Sequence, residues 1–176
     1  MTICVVDTNV ILVANGAHEG ASPECVIACI ERLNQLMKSG VLVIDEQFRI
    51  LNEYLKKTSP RAAKGVGDLF VQWALRHKEQ ADRVQQVVLT EHGPNQYLEF
   101  PSPELEPRFD PSDRMFVAVA HAHVGNPVVL QASDCKWLAW WEELKACGVQ
   151  VEFLCEADVC QAYTRKFPGK PIPVLP

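Results

Sequence analysis

Short apolar runs alternate with amphipathic stretches along the whole chain. Residues 2–7 (TICVVD) and 41–45 (VLVID) are continuous apolar runs that end in an acid, a pattern typical of strands buried on both faces. Similar runs recur later, so the pattern predicts five strands, at residues 2–7, 41–45, 84–90, 127–131 and 149–154.

Helical spacing of apolar residues fills the segments between these runs. Ser22-Pro23 has the form of an N-cap followed by a first-turn proline, and Gly40 is a typical helix stop, so a helix is predicted between them. Residues 91–109 instead carry four prolines and predict a long irregular loop, of a kind that is usually functional or mobile. The helical spacing predicts further helices at 46–57, 59–75, 112–124, 135–147 and 156–167.

The regular alternation of strand and helix predicts the fold class. Parallel neighbours need a crossover connection, so this order indicates a three-layer α/β/α fold with a central parallel sheet of about five strands. Residues 1–167 are expected to form one domain, and 168–176 a proline-rich, extended C-terminal tail. In such folds ligands bind at the carboxyl ends of the strands.

Composition excludes several classes of protein. The net charge of −5 argues against a protein that coats nucleic acid by charge alone, and the longest apolar runs are far shorter than the roughly 18–20 residues of a membrane span. The seven cysteines show no C-x-x-C spacing and lie beside apolar residues. They are therefore predicted to be reduced and buried. With no signal peptide expected at the N-terminus, this predicts a cytoplasmic location.

Acidic residues follow the predicted strands at one edge of the sheet. Asp7 ends the first strand and Asp45 the second, Asp134 follows the fourth, and Asp113 opens the helix that leads to it. Glu53 lies two helical turns beyond Asp45 and could lean back over the same edge. Converging carboxylates repel each other, by about 4 kcal/mol for two charges 4 Å apart at an effective dielectric of 20. Oxygen ligands of this kind favour Mg²⁺ or Mn²⁺.

Simpler structural roles exist for several of these acids. Asp110 precedes Pro111 and has the form of a helix N-cap, which competes with a metal-binding role. Asp134 also has the form of an N-cap, for the helix at 135–147, and Asp45 could cap the second helix. Asp113 could act only through the helix dipole.

Four segments, in order along the chain, resemble the PIN domain of metal-dependent nucleases. They are VVDTNVIL at the N-terminus, IDEQFRILNEY after the second strand, DPSDRMFVAVA, and VVLQASD. The resemblance runs from Met1 to about Leu154 and implies a PIN-like fold. It also implies an endoribonuclease that uses Mg²⁺ or Mn²⁺ and leaves a 5′-phosphate and a 3′-hydroxyl.

The resemblance assigns roles to particular residues. Asn9 matches the polar residue of the family's D-x-N motif and is expected to orient Asp7 or a water molecule. The chain departs from the family at Ala132, where Ser or Thr is common, and Ser133 is the expected substitute for that hydroxyl. The implied metal ligands are Asp7, Asp113, Asp134 and Asp110. The implied catalytic acids are Asp7, Glu53, Asp113 and Asp134.

Basic residues near the predicted edge supply candidate contacts to RNA phosphates. A contact of this kind makes binding depend on salt. The alternative is that they are solvated helix ends. The candidates are Lys56, Lys57, Arg61, Arg114 and Lys136.

Partners and competing functions follow from the same residues. The family includes VapC-type toxins, which implies an antitoxin protein as partner, and PIN domains often form homodimers. The loop at 91–109 makes the chain longer than the compact toxin pattern, so a housekeeping or defence nuclease is an equal alternative. A catalytically inactive PIN-like module that binds RNA or protein is a further alternative, motivated by Ala132. A phosphatase of the haloacid dehalogenase type would need a second aspartate at position 9, where this chain has Asn9.

Overall fold

A computed structural model describes residues 2–176 and shows a parallel sheet in the centre of an α/β/α arrangement. Across these residues the sheet has five strands in the order β3-β2-β1-β6-β7, so β1 lies in the middle. The register pairs Cys4 of β1 with Leu42 of β2 on one side and with Val128 of β6 on the other. The strands are β1 (Ile3–Val6), β2 (Val41–Asp45), β3 (Val84–Val87), β6 (Val128–Gln131) and β7 (Val151–Phe153).

Helices cover both faces of the sheet, as the predicted fold class requires. Helices α1, α2 and α4 pack against one another, whereas α5 packs across β1, β2 and β6. Strand β2 is fully buried and β1 is buried from Cys4 onward, which explains why their sequences are continuous apolar runs. The helices are α1 (Thr8–Ala14), α2 (Pro23–Ser39), α3 (Arg49–Lys57), α4 (Val66–His77), α5 (Arg114–Ala122), α6 (Cys135–Ala146) and α7 (Glu156–Lys166).

The structure confirms the predicted strands and corrects the helices in two places. Helix α1 begins directly after Asp7, although the sequence analysis assigned no helix between the first strand and Ser22. The helix predicted over 59–75 is a 3₁₀ turn at Pro60–Ala62 followed by α4, because Gly65 at the N-cap of α4 separates them.

The segment 91–109, predicted to be an irregular loop, contains regular structure. Glu91–Gly93 (β4) and Gln96–Tyr97 (β5) form an antiparallel hairpin, and Glu106–Arg108 forms a 3₁₀ turn. Asn95 occupies the left-handed region in the hairpin turn (φ 54°), a conformation that asparagine tolerates better than most residues. The hairpin lies outside the main sheet and forms a wall of the cavity described below.

Two cysteines are joined in a disulfide, although the sequence analysis predicted that all seven are reduced. Cys25, in the first turn of α2, forms a disulfide with Cys155, which precedes α7 and is 130 residues away in sequence. The prediction failed because the partners are far apart in the chain and carry no spacing signal. Disulfides are rare in the cytosol, so the cysteines no longer support a cytoplasmic location. Cys4, Cys29 and Cys135 are free and buried, as predicted.

Within residues 2–176, no helix combines the length and apolar character needed to cross a membrane.

Candidate active site

Asp7 lies at the end of the central strand, where β1 passes into α1. Its backbone N–H donates to the carbonyl of Leu130 on β6 (3.0 Å), so the sheet ladder continues up to this residue. Its carboxylate caps α1 by accepting the N–H of Asn9 (2.7 Å). The Asp7 side chain is buried and is held beside the carboxyl edge of the sheet by both contacts.

Three other aspartates converge at the same edge. One carboxylate oxygen from each of Asp110, Asp113 and Asp134 lies within 4.8 Å of the other two. Asp110 and Asp113 come from the turn before α5, and Asp134 comes from the loop between β6 and α6. The predicted convergence of Asp113 and Asp134 is therefore present, and Asp110 belongs to the same cluster.

Hydrogen bonds fix two of these carboxylates. Asp113 accepts from the indole Nε1 of Trp137 (3.2 Å) and from the hydroxyl of Ser112 (3.0 Å). Asp134 accepts the N–H of Lys136 (2.9 Å) and is the N-cap of α6. Its capping role and its place in the cluster therefore coexist.

Trp137 contacts the cluster and is a residue that the sequence analysis did not assign to the site. It is fully buried, and its ring packs edge-on against Phe109 with the centroids 5.0 Å apart. This packing holds the indole N–H toward Asp113. The available signal was its position in the first turn of α6, three residues after Asp134.

Burial and mutual repulsion both make the carboxylates harder to ionise. Burial raises the pKa of Asp7 well above its usual range, and the charges of Asp113 and Asp134 raise it further. Burial is also the main cause that raises the pKa of Asp113 from 3.8 to about 6, with Asp134 and Asp110 adding to it. A bound cation would relieve this repulsion.

The residues present fit a hard divalent cation. The cluster offers carboxylate oxygens without sulfur or imidazole ligands, which is the ligand chemistry that Mg²⁺ and Mn²⁺ favour. Thr8 Oγ1, on the residue that follows Asp7, is buried and has no hydrogen-bond partner within residues 2–176. Buried polar atoms of this kind normally require a partner such as an ordered water molecule.

Asn9 links the two loops that form the edge. Its backbone N–H donates to Asp7, and its side-chain oxygen accepts the N–H of Ser133 (3.1 Å). Ser133 is buried at this point, and the neighbouring Ala132 is fully buried. The Asn9 side chain therefore holds the loop that carries Asp134, and only the Asn9 backbone contacts Asp7, so the orienting role expected from the D-x-N motif stays a prediction.

Lys136 contacts the cluster in a way the sequence did not indicate. Its ammonium forms an ion pair with Asp110, and the charges of Asp110, Asp134 and Asp113 contribute to raising the pKa of Lys136. The Asp110 side chain is thus engaged in an ion pair, whereas the residue at the N-cap position of α5 is Asp113. The interpretation of Asp110 as the helix cap is wrong for this reason.

The two acids that follow β2 have different surroundings. Asp45 is fully buried and accepts the N–H groups of Arg49 and Ile50 (2.9 Å each), so it serves the start of α3. Glu53 is half-buried, lies 3.9 Å from the ammonium of Lys56, and faces a cavity that Ser112 also lines. The aspartate cluster itself consists of Asp110, Asp113 and Asp134, and neither Asp7 nor Glu53 is part of it.

The basic residues proposed to contact RNA divide into two groups. Arg114 is buried, and its guanidinium donates to the carbonyls of Phe109 (3.1 Å) and Asn95 (3.4 Å). This placement makes Arg114 a structural residue and removes it from the RNA-binding set. Exposed side chains remain at Lys56, Lys57 and Arg61, whereas Lys136 is partly buried and pairs with Asp110.

Comparison of the chain with protein-family models, curated proteins and solved structures gave no match.

Proposed function

We propose that this protein is a PIN-like, metal-dependent endoribonuclease that hydrolyses phosphodiester bonds within RNA. The observation that carries the proposal is the convergence of Asp110, Asp113 and Asp134 within 4.8 Å, next to the buried Asp7 at the carboxyl edge of a parallel sheet. Open α/β sheets bind their ligands at this edge. A cytoplasmic location is part of the proposal because RNA is the substrate.

Each residue has a defined role in this proposal. Asp7, Asp113, Asp134 and Asp110 would hold Mg²⁺ or Mn²⁺, which when bound would stabilise the negative charge that develops on the phosphate oxygens. Trp137 and Asn9 orient the carboxylates of Asp113 and Asp7 through their hydrogen bonds. Glu53, on the cavity wall, would accept a proton from the attacking water at its carboxylate.

The test is cleavage of an end-labelled, unstructured RNA with Mn²⁺ or Mg²⁺. The wild-type protein is expected to cut the RNA, and EDTA or Asp7→Asn is expected to reduce the rate by about 10²-fold or more, because each removes charge stabilisation in the transition state. Asp82→Asn, at an exposed aspartate away from the site, serves as the matched control and should cut like the wild type. Cutting that persists in Asp7→Asn would contradict the assignment of the site.

Two features of the chain favour a second candidate, a catalytically inactive PIN-like module that binds RNA. The Lys136 ammonium already neutralises part of the acidic cluster through its ion pair with Asp110, and Ala132 lacks the hydroxyl common in the family. This candidate predicts that folded protein binds RNA equally well with EDTA or Mn²⁺ and never cleaves it. RNA binding without cleavage at high protein concentration would therefore replace the nuclease proposal with this one.

A toxin with a cognate antitoxin, a defence nuclease and a housekeeping nuclease all fit the same chemistry. An antitoxin and a second copy of the chain remain proposed partners. Expression in a bacterial host separates these roles, because a toxin is expected to arrest growth while its Asp7→Asn variant does not.

A further inference from the structure

A cavity of about 600 Å³ lies beside the aspartate cluster and is formed by three separate parts of the chain. Helix α3 supplies one wall, the β4–β5 hairpin supplies another, and the turn before α5 closes the third side. A volume of this size is in the range of small-molecule sites in proteins. The cavity is lined by Arg49, Asn52, Glu53, Asn95, Tyr97 and Ser112, among others.

The cavity adjoins the proposed metal ligands. Ser112 lines it, and the Ser112 hydroxyl donates to the carboxylate of Asp113 (3.0 Å). Glu53 lies on the α3 side of the same space. A group bound in the cavity would therefore lie next to the carboxylates proposed to hold the metal.

The contacts that hold the cavity walls in place do not involve the side-chain carboxamides of Asn52 and Asn95, which line the cavity. The hairpin is tied to α3 by the ion pair between Arg49 and Glu91 (3.1 Å), and the Arg49 guanidinium lies over the Tyr97 ring at 5.8 Å from its centroid. Asn95 is held through its backbone, since its N–H donates to Glu91 (3.0 Å) and its carbonyl accepts from Arg114 (3.4 Å).

Two carboxamides give the cavity its hydrogen-bonding chemistry. Asn52 and Asn95 are exposed, and a carboxamide offers a donor and an acceptor side by side. The Arg49 guanidinium is engaged with the protein itself, since its buried Nη1 lies 3.7 Å from the carboxylate of Asp45 and its Nη2 pairs with Glu91. The paired donors and acceptors of a nucleobase edge match the carboxamides.

We infer that this cavity binds one unpaired nucleotide of the RNA beside the bond to be cut, with Asn52 and Asn95 reading its base edge. The inference rests on the proposed nuclease function and deepens it, because it makes the cavity the determinant of sequence preference. A base in a duplex cannot occupy the cavity, since its pairing edge is already engaged. The protein therefore selects single-stranded RNA.

The test measures binding of labelled RNAs of 12 nucleotides that contain only A, only C or only U, together with the duplex of the A and U strands. All measurements are made in EDTA so that no RNA is cut. The wild type is expected to prefer one base and to bind the duplex weakly. The double variant Asn52→Ala/Asn95→Gly is expected to bind its preferred RNA at least about fivefold more weakly and to lose the preference between bases. Glycine is chosen at position 95 because it tolerates the left-handed backbone.

The matched control is Asn34→Ala, which removes an exposed carboxamide from α2 and should leave every affinity unchanged. Equal affinity of the wild type for the three RNAs, or a base preference that survives in the double variant, would overturn the inference. Mapping of the cut positions in the presence of Mn²⁺ distinguishes failure of this inference from failure of the proposed nuclease function. Base-selective binding without any cutting refutes the nuclease and leaves the cavity assignment standing, whereas cutting with unchanged positions in the double variant refutes the cavity assignment alone.

Discussion

Asp113 couples the chemistry of the site to the stability of the fold. Burial, Asp134 and Asp110 raise the pKa of this carboxyl to about 6, against an ordinary value of 3.8. The folded protein thus holds the proton more tightly than the unfolded chain does. Without metal, ionisation of Asp113 therefore costs stability, and this cost appears as the pH rises from about 4 through about 6.

The variant Asp113→Asn removes this cost and is expected to make the metal-free protein more stable at pH 8. The expected gain in the free energy of unfolding is about 1–2 kcal/mol, and each kcal/mol raises the Tm by roughly 2–4 °C. Thermal unfolding in EDTA at pH 8 and pH 4 measures it, and the difference from the wild type should shrink at the lower pH. Asp82→Asn, at an exposed position, is the control. A less stable Asp113→Asn protein at pH 8 would show that the carboxylate contributes to folding in its ionised form.

The buried carboxylate of Asp68 fixes the start of helix α4 through several hydrogen bonds. Asp68 accepts hydrogen bonds from the N–H groups of Ser59 (3.0 Å) and Lys64 (2.9 Å) and from the side chain of Asn15 (3.0 Å). Burial alone would raise the pKa of Asp68, but these hydrogen bonds outweigh burial and lower it. Its contribution to stability is therefore present above its unfolded pKa and is lost as the pH falls below about 4.

Replacement of this residue by Asp68→Ala is expected to destabilise the protein at pH 7 by about 2–4 kcal/mol, because three donors lose a charged acceptor. Urea unfolding at pH 7 measures the loss, with Asp82→Ala as the exposed control. A loss at pH 3 as large as that at pH 7 would contradict the explanation, because the carboxyl of the unfolded chain is largely protonated at pH 3 and the ionised carboxylate of the fold then contributes less to stability.

Elements with a strong local signal could be predicted from the sequence, and elements without one could not. The strands β1 and β2 are apolar runs buried on both faces, and α2 has a cap, a first-turn proline and a terminal glycine. Helix α1 has only seven residues, and its last five, VILVA, are a continuous apolar run, so its sequence resembles a buried strand. The hairpin strands have only two or three residues among prolines, and their stability comes from contacts with α3 and α5.

The same distinction applies to the site. Asp7 and Asp134 could be predicted because they follow parallel strands whose carboxyl ends share one edge, and Asp113 because the helix that leads into β6 begins at the same edge. The ion pair of Lys136 with Asp110 and the burial of Arg114 depend on side-chain direction, which the spacing of residues does not specify. The cavity that Glu53 and Ser112 both line has the hairpin as one wall, and the sequence analysis did not find the hairpin.

At the scale of the whole molecule, the disulfide ties the start of α2 to the segment before α7. It closes a loop whose ends are 130 residues apart, and a cross-link of this span restricts the unfolded chain strongly. Cys25→Ala is expected to lower the free energy of unfolding by up to about 4–5 kcal/mol. Thermal unfolding with and without dithiothreitol measures the effect, and the reductant should lower the Tm of the wild type but not that of Cys25→Ala.

The matched control for this prediction is Cys160→Ala, at a free and partly exposed cysteine. This variant should behave like the wild type under both conditions. Wild-type protein whose Tm does not respond to dithiothreitol would show that the cross-link contributes nothing to stability.

The central position of β1 also has a consequence for synthesis of the protein on the ribosome. Strands β1, β2 and β3 can pair as soon as Val87 has been made, but the other edge of β1 must wait for β6, which ends at Gln131, 44 residues later (131 − 87 = 44). At a translation rate of about 5–20 residues per second, that edge stays open for roughly 2–9 s in each nascent chain. An open apolar strand edge is a site of aggregation, so the nascent chain is expected to depend on chaperones during this interval.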